Sequence, residues 1–209
     1  RHGFDFQNLH RNKQSITLNL KAPEGLAIFK KLVETADVVV ENYRPDVKFR
    51  LGVDYETLRA INPRVILGSI SGFGQDGPYR DRAGFDQIAQ GYSGFMSLSG
   101  TPESGPMRVG TAIGDLTSGM WVAIGILAAC VERQKTGRGQ RVETSLLASL
   151  VGLLSVQGQR YLSVGEVPQP SGNVHPVIAP YGTFETADGP LNLAPATQDM
   201  WLRLCKVLE

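Results

Sequence analysis

Asp115 stands in the stretch Gly110-Thr-Ala-Ile-Gly114-Asp115-Leu-Thr-Ser-Gly119-Met-Trp, a lone carboxylate just ahead of a long apolar run. A carboxylate so placed can cap a helix or, kept ionised, attack an electrophilic carbonyl as a nucleophile. Ile124, Leu127, Ala128 and Val131 recur at threes and fours, so the spacing predicts a helix from Leu116 to about Arg133, with Asp115 at or beside its N-cap. A helix N-terminus favours negative charge by roughly 0.3–1 kcal/mol, and by up to about 2 kcal/mol where partly buried. That placement would keep Asp115 ionised at neutral pH. Position alone leaves both roles open, and a plain cap is the commoner of the two.

Other segments carry weaker signals. Gly72-Phe-Gly74-Gln-Asp-Gly77 matches G-x-G-x-x-G behind a predicted strand. A dinucleotide fingerprint needs its third glycine to open a helix and an acidic residue about twenty positions on. Pro78 and a charged loop follow instead, with no acidic residue at that distance, so a flexible loop is expected. Lys135-Thr-Gly-Arg-Gly-Gln lacks the spacing of a phosphate-cradling loop and reads as a helix-to-strand turn capped by Gly137. In Glu41-Asn42-Tyr43-Arg44-Pro-Asp-Val47-x-x-Arg50, Tyr43 supplies a flat ring and Arg50 a cation just past a predicted strand, where open α/β sheets bind ligands. Taken alone, Arg50 and Lys21 are better explained as solvated charges. His175 and Arg108 are equally well explained as exposed loop residues.

Strand and helix patterns alternate along the chain. Ser15–Leu20 alternates like a short strand, and Pro23 opens a helical pattern through Glu34. Val38–Val40 is a β-branched run, expected as a buried strand. Helical turns are predicted at Pro45–Leu51 and Tyr55–Ile61, a buried strand at Val65–Ile70, and a Gly/Pro-rich loop from Gly72 to Arg82. A helical pattern resumes from Phe85 to about Leu98. Behind the long helix come a strand near Arg141–Glu143 and a helix from about Leu146 to Leu162. This alternation argues for a parallel sheet covered by helices. Gly165–Pro180 looks like a connection. Beyond it, Tyr181–Glu185 and Leu191–Leu193 flank Ala187-Asp-Gly-Pro190 as a hairpin would, and an amphipathic helix starts at Gln198. The expected division is a large α/β domain over 1–180 and the beginning of a second over 181–209.

Composition narrows the function. Lys and Arg number 21 against 20 Asp and Glu, for a net charge of +1, which gives no support for a nucleic-acid surface. A hydrophobic share of 42% is enough for a substantial core. Cys130 and Cys205 lie in helical patterns without paired spacing and read as reduced thiols. Three histidines show no metal-ligand spacing, so no metal is expected. No run of about 18 consecutive apolar residues marks a membrane span.

The string Gly114-Asp115-x-x-x-Gly119, its helix and the turn Lys135-Thr-Gly-Arg-Gly-Gln-Arg141 before Val142-Glu-Thr-Ser resemble the class III CoA-transferases, which include the formyl-CoA, carnitine-CoA and succinyl-CoA:dicarboxylate enzymes. Collinear matches continue upstream at Asn12-Lys13-x-Ser-Ile-Thr-Leu-x-Leu-Lys21-x-Pro-Glu-Gly25, Ala36-Asp-Val-Val-Val-Glu41-Asn42-Tyr43-Arg-Pro45, Ile61-Asn-Pro63 and Ser69-Ile-Ser-Gly-Phe-Gly-Gln75. The resemblance implies a Rossmann-like large domain, the start of a smaller one, and interlocked homodimers. It implies that Asp115 is the acyl-carrying nucleophile and Asp86 an accessory carboxylate. Leu18, Lys21, Asn42, Tyr43, Val47 and Arg50 would contact coenzyme A, whose phosphates need cations and whose adenine needs a flat partner.

The substrates implied are an acyl-CoA, with succinyl-CoA preferred over formyl-CoA, and a carboxylic acid. No tightly bound cofactor, nucleic acid or membrane is implied. Related α-methylacyl-CoA racemases carry a histidine where Phe85 stands. A phenylalanine cannot relay the proton that two-base racemisation needs, so a racemase or isomerase is the lesser alternative. A non-catalytic CoA-binding protein is another. Family members extend further at both ends, so the chain is expected to be part of a longer protein. Its expected location is the cytoplasm, or the mitochondrion in a eukaryote.

Overall fold

The computed structural model describes residues 3–208, and Arg1, His2 and Glu209 at the chain ends lie outside it. In chain order the first elements are α1 (Phe4–Leu9), α2 (Pro23–Val33), β1 (Val38–Glu41), α3 (Pro45–Leu51), α4 (Tyr55–Ile61), β2 (Ile66–Ser71) and α5 (Asp86–Tyr92). A 3-10 turn (Phe95–Leu98) leads into β3 (Gly100–Thr101), β4 (Gly105–Pro106) and α6 (Ile113–Thr136). Then follow β5 (Arg141–Ser145), α7 (Leu146–Leu153), α8 (Ser155–Val164), β6 (Gly182–Thr186), β7 (Gly189–Leu193) and α9 (Gln198–Leu208).

The residues fall into two compact units, Arg1–Ser69 with Val122–Glu143, and Ile70–Trp121 with Thr144–Glu209. The first holds a sheet of order β1-β2-β5, in which β1 and β2 run parallel with Val38 opposite Ile66 and Glu41 opposite Ser69. The protein is therefore an α/β fold with a parallel sheet, as the alternation of patterns predicts. Its core gathers Val33, Leu58, Val65 and Leu67, with Phe29, Val39, Tyr55 and Ile61 packed around them. Pro23 and Pro45 stand in the first turns of α2 and α3, where a missing N–H costs nothing. Asp54 caps α4, accepting from the Thr57 amide at 3.1 Å and the Thr57 hydroxyl at 2.7 Å. The second unit centres on Ala89, Leu146 and Leu150, flanked by Ile70, Phe95, Ile113 and Leu153. Its hairpins are β3–β4 and β6–β7, the latter closing around Ala187-Asp188 where the sequence predicts a turn.

Several expectations need correction. Ser15–Leu20 is irregular, because alternation alone makes no strand without a ladder partner. Val38–Val40 forms a strand, but at the sheet edge, where Val40 remains 57% exposed. The pattern from Phe85 to Leu98 is interrupted at Gly94 (φ 78°). That from Leu146 to Leu162 is divided at Ser155 (φ 49°). The largest revision concerns α6. It begins at Ile113, so Asp115 sits inside the first turn rather than at the cap.

The packed face of α6 is also not the one that periodicity suggests. Ile124, Leu127, Ala128 and Val131 are exposed, whereas Val122 and Ala129 are buried. A Cβ on Gly68 of β2 would stand 2.8 Å from Ile126 Cδ1, and one on Gly125 would stand 2.5 Å from Val142 Cγ1 of β5. The helix lies on its sheet through this glycine seam. By length and composition alone α6 would suffice to cross a membrane, but this seam is already occupied by protein.

Candidate active site

Asp86 opens α5 and ties that helix to the start of α6. Its Oδ1 accepts the Gly114 amide hydrogen at 2.7 Å, and its Oδ2 accepts from Gln90 Nε2 at 2.7 Å. Gln90, fully buried, in turn accepts the Val109 amide through Oε1 at 2.9 Å. The carbonyl of Gly114 is held too, since the Ser118 hydroxyl donates to Gly114 O at 2.6 Å and lies 3.2 Å from Ser149 Oγ. A side chain at Gly114 would be tightly fitted: its Cβ would stand 3.0 Å from Asp86 Oδ1 and 3.0 Å from Leu150 Cδ1. The residue before Asp115 is thus held from two sides, which fixes the backbone from which Asp115 projects.

Asp115 is open to solvent on one side. Desolvation by the surrounding protein raises its pKa above the ordinary carboxylate value, and the nearby charge of Asp86 pushes the same way. These two effects oppose the stabilisation of the ionised form that the helix start was expected to give. A raised carboxylate pKa goes with higher basicity, hence with a stronger nucleophile once the proton is gone.

In the other unit, the β1–α3 junction is built around a buried ion pair. Lys48 Nζ lies 3.2 Å from Glu41 Oε1 and 3.5 Å from Ser69 Oγ, and both charged side chains are almost fully buried. Glu41 Oε2 accepts the Tyr43 amide at 2.8 Å. The pair therefore pins the turn carrying Asn42 and Tyr43, which are exposed, above half-buried Val47 and exposed Arg50. Arg50 pairs with Asp46 at 3.3 Å on the solvent side of α3. Leu18, half-buried, and Lys21, exposed, flank a turn in which Asn19 Oδ1 accepts the Lys21 amide at 3.1 Å. Asp86 and Asp115 are thus together in one unit, and the six candidate CoA-binding residues are in the other.

The remaining candidates serve their own loops. His175 Nδ1 accepts the Val177 and Ile178 amides at 3.2 and 3.0 Å, and its ring lies 4.8 Å from Tyr181. Arg108 donates to Val109 O at 3.0 Å. The Gly72 loop is braced by Phe73, Tyr79 and Tyr92, whose centroids are 5.4–5.7 Å apart, with Arg82 stacked 4.1 Å from Tyr79. Gly137 (φ 72°) caps α6, as predicted. Among the described residues, no group of His, Cys, Asp and Glu gathers as a metal would require.

Gln90 and the Glu41–Lys48 pair carry much of this geometry and were not singled out by sequence. The i, i+4 spacing of Asp86 and Gln90 was a usable signal. For Lys48 there was none, since a lysine on a short helix reads as solvated.

The site is an α/β fold with two carboxylates, Asp86 and Asp115, at the start of one long helix. The chain belongs to the CoA-transferase family III, whose model matches residues 2–209. It is 45% identical over 199 residues to the succinate–glutarate CoA-transferase of Agrobacterium fabrum, covering 95% of this chain and 50% of that protein. It is 36% identical over 204 residues to the human succinyl-CoA:glutarate CoA-transferase, covering 98% and 47%. A CAIB/BAIF family protein from Brucella suis superposes with a TM-score of 0.85 at 40% identity, covering 94% of this chain and 52% of that one. The chain spans about half the length of the curated relatives it matches.

Proposed function

We propose that this chain carries the nucleophile and the CoA-contacting residues of an enzyme that moves CoA from an acyl-CoA, succinyl-CoA first among them, to a dicarboxylic acid. The observation that carries this reading is Asp115 in the first turn of α6, beside a Gly114 peptide fixed by Asp86 and Ser118. The names of the relatives support the choice of succinyl-CoA and glutarate as first substrates.

The Asp115 carboxylate attacks the thioester carbonyl and expels CoA thiolate, giving a mixed anhydride. The thiolate attacks the aspartyl carbonyl, releasing the donor as its carboxylate and leaving an aspartyl-CoA thioester. The acceptor carboxylate then attacks that thioester, forming a second anhydride and freeing the thiolate. Attack of the thiolate on the acceptor's acyl carbon gives the product acyl-CoA and regenerates Asp115. No proton or electron is left over. Exclusion of water protects the anhydride and thioester, and backbone amides near the helix start are suited to the oxyanions. Asp86 acts as the accessory carboxylate. Leu18, Lys21, Asn42, Tyr43, Val47 and Arg50 hold coenzyme A, which is substrate and not resident cofactor.

The large domain is Rossmann-like and covers 1–180, with 181–209 opening the smaller one; the hairpin β6–β7, which pairs with itself, supports that boundary. The protein works as an interlocked homodimer without nucleic acid or membrane. The exposed apolar face of α6, with Met120, Trp121, Ile124, Leu127 and Val131, supports a protein partner. Two free cysteines suit the cytoplasm, or the mitochondrion in a eukaryote. Phe85, 73% exposed, offers no proton relay and weighs against racemisation. The test is chromatographic: with succinyl-CoA and glutarate the protein should form glutaryl-CoA, while release of free CoA alone would contradict transfer.

A further inference from the structure

We infer that Gln90 is a positioning residue of the acyl-transfer site, setting the Asp86 carboxylate and through it the Gly114 amide at the helix start, one residue ahead of the nucleophile. The inference rests on Asp115 being that nucleophile. Gln90 is completely buried, and both ends of its amide are used. The Val109 amide only donates, so the atom facing it is Oε1. Nε2 is thereby left facing Asp86, and its hydrogen bond there is among the shorter ones for an N–H donor, at 2.7 Å. Asp86 in turn accepts from Gln90 with one oxygen and from Gly114 with the other, so its rotation is blocked on both sides. The chain of contacts Val109–Gln90–Asp86–Gly114 links a loop, α5 and α6 into one part-buried network centred on the fully buried Gln90, the kind that rigidifies its surroundings. Asp86 is also the charged group that acts on Asp115. Gln90 thus governs both the place of the nucleophile and the field it feels, without touching substrate.

The test uses Gln90→Met, which keeps the volume and loses both hydrogen bonds, and Gln90→Glu. Protonated, a glutamic acid can accept from Val109 and donate to Asp86 as glutamine does; ionised, it cannot donate. Protein labelled with 13C at the aspartate carboxyls, assigned with Asp115→Asn, reports the Asp115 titration directly. In Gln90→Met the Asp115 midpoint should fall, because Asp86 is no longer held beside it. The turnover number for transfer should drop at least tenfold with KM for acyl-CoA within twofold. Gln90→Glu should approach wild-type turnover at acid pH and lose it as pH rises. An unchanged Asp115 midpoint in folded Gln90→Met would overturn the inference. So would a Gln90→Glu protein whose turnover relative to wild type does not vary with pH. A wild-type protein that transfers no CoA would overturn the functional reading instead, and the titration would still decide the role of Gln90.

Discussion

The Asp86 carboxylate accepts the amide hydrogen of Gly114 at 2.7 Å, one residue ahead of Asp115. A negative group is therefore fixed at the same helix start as Asp115. The helix terminus stabilises anions there, while desolvation and Asp86 raise the Asp115 pKa, and the net direction is upward.

A pH dependence follows from that direction. An acid whose folded pKa lies above its unfolded value, about 3.9 for aspartate, costs stability once it is ionised. The cost is absent below the unfolded pKa, grows as pH rises through the interval up to the folded pKa, and stays constant above it. Asp115→Asn should therefore be at least as stable as wild type at pH 7 by chemical denaturation, with its advantage disappearing towards acid pH. Activity runs the other way: kcat/KM of the wild type should fall as pH drops through the raised Asp115 pKa. A variant that loses stability at pH 7 but not in acid would contradict the assignment.

Gly114→Ala should be costly although alanine favours helices. The added methyl meets Asp86 Oδ1 and Leu150 Cδ1 at 3.0 Å each, so Asp86, held by two hydrogen bonds, and fully buried Leu150 must each give way by a few tenths of an ångström. Overpacking of this kind costs about 1–3 kcal/mol. A lowered melting temperature together with reduced turnover is expected, and an unchanged melting temperature would show that the helix start yields more than its contacts suggest.

The Glu41–Lys48 pair gives a test of the turn proposed to bind CoA. Removing one partner leaves the other charge buried and unpaired, a loss of about 3–5 kcal/mol. Lys48→Met alone should therefore destabilise strongly, and Glu41→Leu combined with Lys48→Met should cost less than the sum of the two single changes. Because Glu41 also holds the Tyr43 amide at 2.8 Å, the double variant should still fold yet bind CoA more weakly in calorimetry. Additive losses would mean that the pair contributes nothing jointly.

Legibility from sequence followed the physics of each segment. Pro23 at the opening of α2 is a local device that made that helix readable, whereas the Asp54 cap of α4 emerged only in the structure. The buried strand β2 was readable from the apolar run Val65–Leu67 at its start. The α6 face was misread because that helix is apolar nearly all round, so periodicity could not say which stripe meets the sheet. Gly68 and Gly125 decide it, and their role appears only when two distant segments pack. Asp115 and Asp86 stood out as carboxylates in suggestive strings. The contacts that join Asp86 to Gly114, and Lys48 to Glu41, come from chain segments whose approach no local pattern encodes.

The apolar face that α6 leaves exposed supplies a test of assembly. Leu127 and Ile124 are 66% and 55% exposed on that face. The wild-type protein should sediment as a dimer, and Ile124→Lys with Leu127→Lys should weaken association at least tenfold. An unchanged dimer would move the interface elsewhere.

The most direct measurement is the chemical state of Asp115 during turnover. The protein would be incubated with succinyl-CoA, trapped with hydroxylamine or borohydride, digested and analysed by peptide mass spectrometry. The account predicts modification at Asp115, absent in Asp115→Asn and absent without succinyl-CoA. A protein that forms glutaryl-CoA from succinyl-CoA and glutarate while Asp115 stays unmodified would contradict it.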